Sequence, residues 1–546
     1  MNKTVIEHVL SRLRDIGITD IFGVPGDYAF PVNDAICHDP GLRWVGCSNE
    51  LNAAYAADGY ARIKGVGAVS TTFGVGELSA INAIAGAYAE HVPVFHLVGM
   101  PNLSTQRRRA PMHHTLGNGE YDVFRRMAEP VVAASAVMTP QNVASETERL
   151  IHEALYHRRP VYMAFPGDLA SLPTLGDAPA LPFPPSDPKN LAEAADTILD
   201  RLATAKSVCV LAGMLVRRIS AQKQLEAFLA ASGLPFATMF MGKSVLDERH
   251  SGYIGMYDGA LLGEDVRIFV EEADFVLRVG AEMTDFNTGA FTAKLDPART
   301  VNLSHHHVEV DGKALSGVEM GHLLMELARR VEHRDWPRLV PRSLGPIAGE
   351  ADAPITAASL YPRWASFLRA DDVIVAETGT VSMGLGFVRL PKGATFHNQT
   401  LWGSIGWATP AAFGAAIAAP ERRVVLFTGE GSHQLTVQEI GQFGRFGLKP
   451  VVFVLNNNGY LIERLLCSEP EIAYNDLAQW RYVELPHAFG CSDWSTLRAT
   501  TNGELDEALA DVSRSDQAAY IEVVTDTYAA SDLALKLHEA VKTLYR

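Results

Sequence analysis

Cysteine is scarce and poorly placed for covalent work. Five residues (Cys37, Cys47, Cys209, Cys467 and Cys491) are scattered over 546 positions. Their odd number and wide spacing exclude a disulfide-stapled fold and offer neither a zinc cluster nor a redox pair, which fits a reducing cytoplasm. A basic surplus is missing too. The net charge of −16 leaves no positive face for nucleic acid or an anionic membrane. The densest basic run, Arg107-Arg108-Arg109, reads as a solvated loop. Long apolar runs are absent. The nearest approach, residues 80–100, carries Glu90, His91 and Pro93 and reads as a buried helix and strand, not a membrane span. The first residues show no basic stretch followed by an apolar one, and residues 4–13 read as an amphipathic helix. Neither a short repeat nor a low-complexity tract is present.

What is there is a chain too long for one core, so about two to four domains are expected. Proline-rich stretches at 172–190 and 336–354 read as extended linkers with few core contacts. They divide the chain into domains at 1–172, 190–336 and 355–546. Short Val/Ile-rich runs at 94–98, 207–211, 372–376, 424–427 and 451–455 alternate with helical patterns. That alternation predicts an α/β fold, three domains with parallel sheets covered by helices on both faces.

The most informative stretch is 424–463. A buried strand leads into a tight turn, Gly429-Glu430-Gly431-Ser432, and a helical pattern follows. The next strand ends in Asn456-Asn457-Asn458-Gly459-Tyr460. A right-handed crossover makes the two strands parallel neighbours. Glu430 and Asn457 then both stand at carboxyl ends of strands, where open α/β sheets bind ligands. The glycines let the backbone approach a phosphate, and the helix start offers free N–H groups. A carboxylate, an amide oxygen and a backbone carbonyl are hard donors suited to magnesium. A lone Gly-x-Gly would mean only a tightly packed strand–turn–helix; the asparagine run weighs against that.

Residues 429–457 resemble the thiamin-diphosphate binding motif, which begins Gly-Asp-Gly and ends Asn-Asn. The resemblance implies that Glu430, Asn457 and the carbonyl of Gly459 hold magnesium, with Gly429, Gly431, Ser432 and Asn457 at the cofactor. Glu430 stands where the family usually has Asp, so a shift of the turn must absorb one methylene. Ser48-Asn49-Glu50-Leu51-Asn52 and residues 55–62 resemble the family's pyrimidine-side segment. Read alone, Glu50 between a strand (43–47) and a helix (51–62) is a capping residue. By resemblance it binds the N1′ nitrogen of the aminopyrimidine ring and helps the cofactor deprotonate itself. Ile405 matches the residue that bends the cofactor, and the carbonyl of Gly403 matches the one that holds its amino group.

His113-His114 lies in a loop. Adjacent residues point different ways, so a metal shared by the two is not expected. Family members that decarboxylate without oxidation carry such a pair with an Asp near the N-terminus and a Glu after the asparagines. Asp27 and Glu463 match them, and the resemblance gives these four, with Glu50, the catalytic roles. Singly, Asp27 is a turn residue, the histidines are loop polars and Glu463 is a solvated helix residue.

Two decoys remain. Gly74-Val75-Gly76-Glu77-Leu78-Ser79 mimics a dinucleotide fingerprint but lacks the third glycine. His305-His306-His307 lacks the spacing of a helical zinc site and reads as a solvated loop. Nearly the whole chain resembles the indolepyruvate, phenylpyruvate and pyruvate decarboxylases. This implies conversion of a 2-oxo acid to an aldehyde and carbon dioxide in a homodimer or homotetramer. Ser382 appears where some pyruvate-preferring members carry a bulky aromatic; with Phe286 and Ile462 as apolar walls, it points to an aromatic or branched substrate. Pyruvate decarboxylation, and carboligation as in acetolactate synthase, are the alternatives.

Overall fold

A computed structural model describes residues 3–541. Their strands form three sheets. The first holds β1 (Asp20–Gly23), β2 (Arg43–Gly46), β3 (Gly67–Thr72), β4 (Val94–Met100), β5 (Ala134–Val137) and β6 (Val161–Pro166) in the order β2-β1-β3-β4-β6-β5. The second holds β7 (Val208–Ala212), β8 (Phe236–Thr238), β9 (Tyr253–Met256), β10 (Phe275–Val279), β11 (Thr300–Leu303), β12 (His307–Val310) and β13 (Lys313–Ser316). The third holds β14 (Val373–Ala376), β15 (Thr395–His397), β16 (Val424–Gly429), β17 (Val451–Asn456), β18 (Ser495–Ala499) and β19 (Ala519–Val524) in the order β15-β14-β16-β17-β19-β18. Numbered within each sheet, the first and third have one topology, second-first-third-fourth-sixth-fifth, and every pairing in them is parallel. Strands such as β3, β4 and β6 are buried along their whole length, as parallel strands with both faces covered must be.

The second sheet, in the order β13-β12-β11-β10-β7-β8-β9, is parallel from β11 to β9 and ends at its other side in antiparallel β12 and β13, joined as a hairpin through Asp311 and Gly312. Both turn residues have positive φ, the geometry that a two-residue hairpin connection requires.

The first and third sheets are joined through two helices, Glu50–Lys64 and Ala408–Ala418, each following the second strand of its sheet. Both are rich in alanine, and they meet at glycines. A Cβ on Gly59 would stand 2.1 Å from the Ala411 carbonyl oxygen, and one on Gly414 would stand 1.8 Å from that of Ala56. Backbone thus lies against backbone, and one apolar core runs through both units.

Two segments differ from their sequence reading. Trp336, expected at the start of an unpacked linker, is buried in the middle core and donates from Nε1 to the Ser232 carbonyl at 3.1 Å, with Arg334 over its ring. A large ring with a satisfied N–H is worth more buried than extended. The histidine run is not a solvated loop. His305 is buried with its ring 4.9 Å from that of His91, and His306 stacks on Tyr156 at 3.9 Å and pairs with Glu319 at 2.8 Å. The run fills the seam between the first and middle units. No helix among the described residues is long and apolar enough to cross a membrane.

Candidate active site

At the carboxyl edge of the first sheet, Asp27 follows β1, Glu50 follows β2, the turn at Gly74 follows β3, and the loop with His113 and His114 lies beyond β4. Asn49 caps the Glu50–Lys64 helix by accepting from the Asn52 N–H at 2.8 Å, which leaves the Glu50 side chain free and half-buried. Its Oε1 lies 3.3 Å from where a Cβ on Gly76 would stand. The Gly74 turn is pinned from below by Glu77, whose carboxyl accepts from the Gly74 N–H and the Tyr162 hydroxyl, both at 2.8 Å. Burial pushes the Glu77 carboxyl up to about 7.

The histidine pair corrects its sequence reading. His113 Nε2 lies 2.7 Å from Asp27 Oδ2, and the His113 and His114 ring centroids are 4.7 Å apart. His114 has φ +58°, and this left-handed turn swings both imidazoles to the Asp27 side. One ligating atom from each of the three residues lies within 4.8 Å of the others. Tyr28 stacks on His113 at 4.8 Å, with its hydroxyl 3.3 Å from Nδ1.

The third sheet presents a different edge. β16 runs to Gly429 and a helix, Glu430–Thr436, starts at once, so the expected tight turn is really a first helical turn. Gly431 is obligatory there, because a Cβ would stand 2.4 Å from the Tyr460 ring. Gly429 faces open space, and Ser432 is buried one turn along. Glu430 Oε1 accepts from the backbone N–H groups of Asn457 (3.1 Å) and Gly459 (2.9 Å) at the end of β17. The Asn457 amide end stands 3.1 Å from Glu430 Oε1 and 2.8 Å from the Gly459 carbonyl oxygen, and with its nitrogen turned to them it donates to both. Turned the other way it would add its oxygen to a carboxylate and a carbonyl, a hard donor set that fits magnesium. Burial raises the Glu430 carboxyl to about 7, a group that a cation would stabilise as carboxylate.

Three family models match in chain order. They are the thiamine pyrophosphate enzyme N-terminal TPP binding domain at residues 3–120, the central domain at 195–320 and the C-terminal TPP binding domain at 377–523. An alpha-keto-acid decarboxylase of Mycobacterium ulcerans (strain Agy99) is 42% identical over 534 residues, covering 95% of this chain and 93% of that one. The chain belongs to the thiamine pyrophosphate-dependent alpha-keto-acid decarboxylase family. A Mycobacterium leprae (strain TN) protein of the same description is 42% identical over 530 residues, 95% of this chain and 92% of its own. For the fold, a candidate thiamin diphosphate-dependent enzyme from Mycobacterium smegmatis superposes with a TM-score of 0.77 at 22% identity, over 96% of this chain and 99% of that one. The cofactor of this decarboxylase is thiamin diphosphate, and the Glu430 cradle fits its magnesium.

The loop that carries Gly403 and Ile405 in this enzyme is gripped from the first unit. Leu401 N–H donates to Glu90 at 2.7 Å, Trp402 Nε1 to Asn82 at 2.9 Å, and the Tyr55 hydroxyl to Ser404 at 2.7 Å. Gly403 has φ +64°, and Ile405 is half-buried. From within its own unit, Glu377 holds the loop's far end, accepting from Gly406 (3.1 Å) and Ala408 (3.2 Å), and burial raises it to about 7. Glu439 reaches the other way, accepting from Asn52 Nδ2 at 2.8 Å and the Ser48 N–H at 3.3 Å. The sequence reading missed what Glu77, Glu377 and Glu439 do. The signals available were a glutamate three residues after a turn glycine for Glu77, and a glutamate directly after an apolar strand for Glu377.

Glu463 is exposed on the helix Leu461–Leu466, at the third edge and away from the Asp27 cluster on the first. Ser382 is buried with its hydroxyl donated to the Gly379 carbonyl at 3.0 Å. Ile462 Cγ2 lies 3.9 Å from the Cβ position of Gly379, and both Ile462 and Phe286 pack on the apolar cluster that includes Phe240 and Met383.

Proposed function

We propose that the protein decarboxylates an aromatic or branched-chain 2-oxo acid, larger than pyruvate, to the aldehyde. The observation that carries this is Ser382, a small buried residue whose hydroxyl is spent on the Gly379 carbonyl; the Cβ position of Gly379 in turn lies 3.9 Å from Ile462, which packs with Phe286 on one apolar cluster. A methylene more or less in such a pocket is worth about 1–3 kcal/mol, or about 10–200-fold in selectivity.

In this reading Glu50 shares a proton with the ring nitrogen N1′, the Gly403 carbonyl takes the ring's amino group, and Ile405 supports the bend. Gly429, Gly431 and Ser432 receive the diphosphate, while Glu430, Asn457 and Gly459 hold magnesium. Asp27, His113, His114 and Glu463 move protons around the substrate carboxylate and the carbon that it leaves. The bound cofactor supplies the electron sink. The domains are 1–172, 190–336 and 355–546, and the site of action is the cytoplasm.

We further propose a homodimer or homotetramer with each site between two chains. Support comes from apolar side chains standing exposed beside both edges: Val75 (52%) and Leu116 (63%) by the first, Trp402 (41%) and Leu435 (50%) by the third. Such patches mark surfaces that a partner covers.

The test is kcat/KM for pyruvate, a branched-chain 2-oxo acid, phenylpyruvate and indolepyruvate, repeated in Ser382→Trp. Larger acids should lead in the native protein, and the variant should move towards pyruvate by about tenfold or more. Pyruvate ranked first in the native protein would overturn the substrate assignment.

A further inference from the structure

The two edges offer two donor sets of different softness. Glu430, Asn457 and Gly459 present oxygen only, the preference of magnesium. Asp27, His113 and His114 present one carboxylate and two imidazoles, the donors of zinc and its neighbours in the transition series. A tetrahedral ion with bonds of about 2.0–2.1 Å needs ligand atoms about 3.3–3.4 Å apart. His113 Nε2 and Asp27 Oδ2, hydrogen-bonded at 2.7 Å, must open by about 0.6–0.7 Å to reach that spacing. The third ligand atom lies within 4.8 Å of both, so it must close by no more than about 1.5 Å, which a side-chain rotation supplies.

Two further observations favour an ion here. Nδ1 of His114 is shielded from solvent and has no hydrogen-bond partner. A proton lies between His113 Nε2 and Asp27 Oδ2 at 2.7 Å, and the Tyr28 hydroxyl steadies the ring from the other side, 3.3 Å from Nδ1 and 3.2 Å from the His113 carbonyl. An ion would displace that proton and take the freed Nε2 lone pair and the carboxylate together. A ring fixed through its other nitrogen is the usual support of a metal-binding histidine.

We propose that Asp27, His113 and His114 form a capture site for one divalent transition-metal ion of the zinc class, with a fourth position open, and that occupancy stops decarboxylation while magnesium stays in its own cradle. The ion takes the lone pairs that would otherwise carry protons. The inhibitory part rests on the proposed function, in which these residues move protons; the binding part does not.

The experiment titrates the thiamin diphosphate–magnesium holoenzyme with Zn2+ and, for a spectrum, with Co2+. Expected are one ion bound per chain, visible Co2+ bands of four-coordinate intensity, unchanged magnesium content, and decarboxylation falling in step with occupancy and recovering on brief chelation. His113→Gln and Asp27→Asn should abolish the Co2+ bands, and Tyr28→Phe should weaken binding by about tenfold. Absent bands, or bands equally strong in His113→Gln and Asp27→Asn, overturn the proposal. If decarboxylation by the magnesium holoenzyme without added Zn2+ or Co2+ still needs His113 and Asp27, that same result leaves the proposed function standing. Bound Zn2+ with undiminished decarboxylation overturns both the inhibition and the proton-moving role of the three residues.

Discussion

At the carboxyl edge of the first sheet, Asp27, Glu50, His113 and His114 stand half-buried or exposed, each able to take or give a proton. At the matching edge of the third sheet, Glu430, Asn457 and the Gly459 carbonyl are held by backbone and face one another. The strand order is the same in both, and each edge rests on a buried glutamate that accepts from nearby backbone, Glu77 from the Gly74 N–H and Glu377 from the N–H groups of Gly406 and Ala408. The difference teaches that topology supplies the ledge and the positions after each strand, while the side chains placed there decide between proton traffic and charge binding.

That contrast can be broken in graded ways. The largest effect is expected from Glu50→Gln, which should lower turnover by about 10²–10⁴-fold with cofactor still bound at the third edge. Near-normal turnover would show that the first edge does not need its acid. Removing magnesium should release thiamin diphosphate, which equilibrium dialysis measures; cofactor retained by metal-stripped protein would mean that Glu430 and Asn457 have been misassigned. Gly414→Leu forces a side chain into the Ala56 backbone and should cost about 3 kcal/mol in chemical denaturation. An unchanged midpoint would mean the two units are not coupled there.

The smallest effect is a slope. Glu77 sits at about 7 in the folded protein against about 4.3 for an unperturbed glutamate. The native state therefore keeps a proton that the unfolded chain gives up. The stability this contributes is complete below pH 4.3 or so and is lost as pH rises towards 7. In Glu77→Gln the amide can accept from Gly74 and donate to Tyr162, so the variant should lack that loss. Its stability relative to the native protein should climb between pH 4.5 and 7 by at most about 1.4 kcal/mol per pH unit. A flat difference would mean that Glu77 is charged in the fold.

The α/β class was legible because apolar runs such as 94–98 and 451–455 have the length and branching of doubly covered strands. The family was legible because the Asn456-Asn457-Asn458-Gly459 run at a strand end has few other uses. What stayed hidden depends on backbone sign and on distant neighbours. Nothing in the letters His113-His114 announces that the second residue takes φ +58°. His305 and Trp336 look like loop and linker residues until the seam and core that they fill exist. Glu377 and Glu439 look like helix-start or solvated acids until the N–H groups they accept from are folded against them.

Where Gly59 and Gly414 cross, main chain lies against main chain with no room for a methyl group. The two outer units must therefore turn as a single rigid body, without a hinge between them. Freedom of movement near the two edges is left to the irregular segments that flank them, such as 108–122 and 467–481.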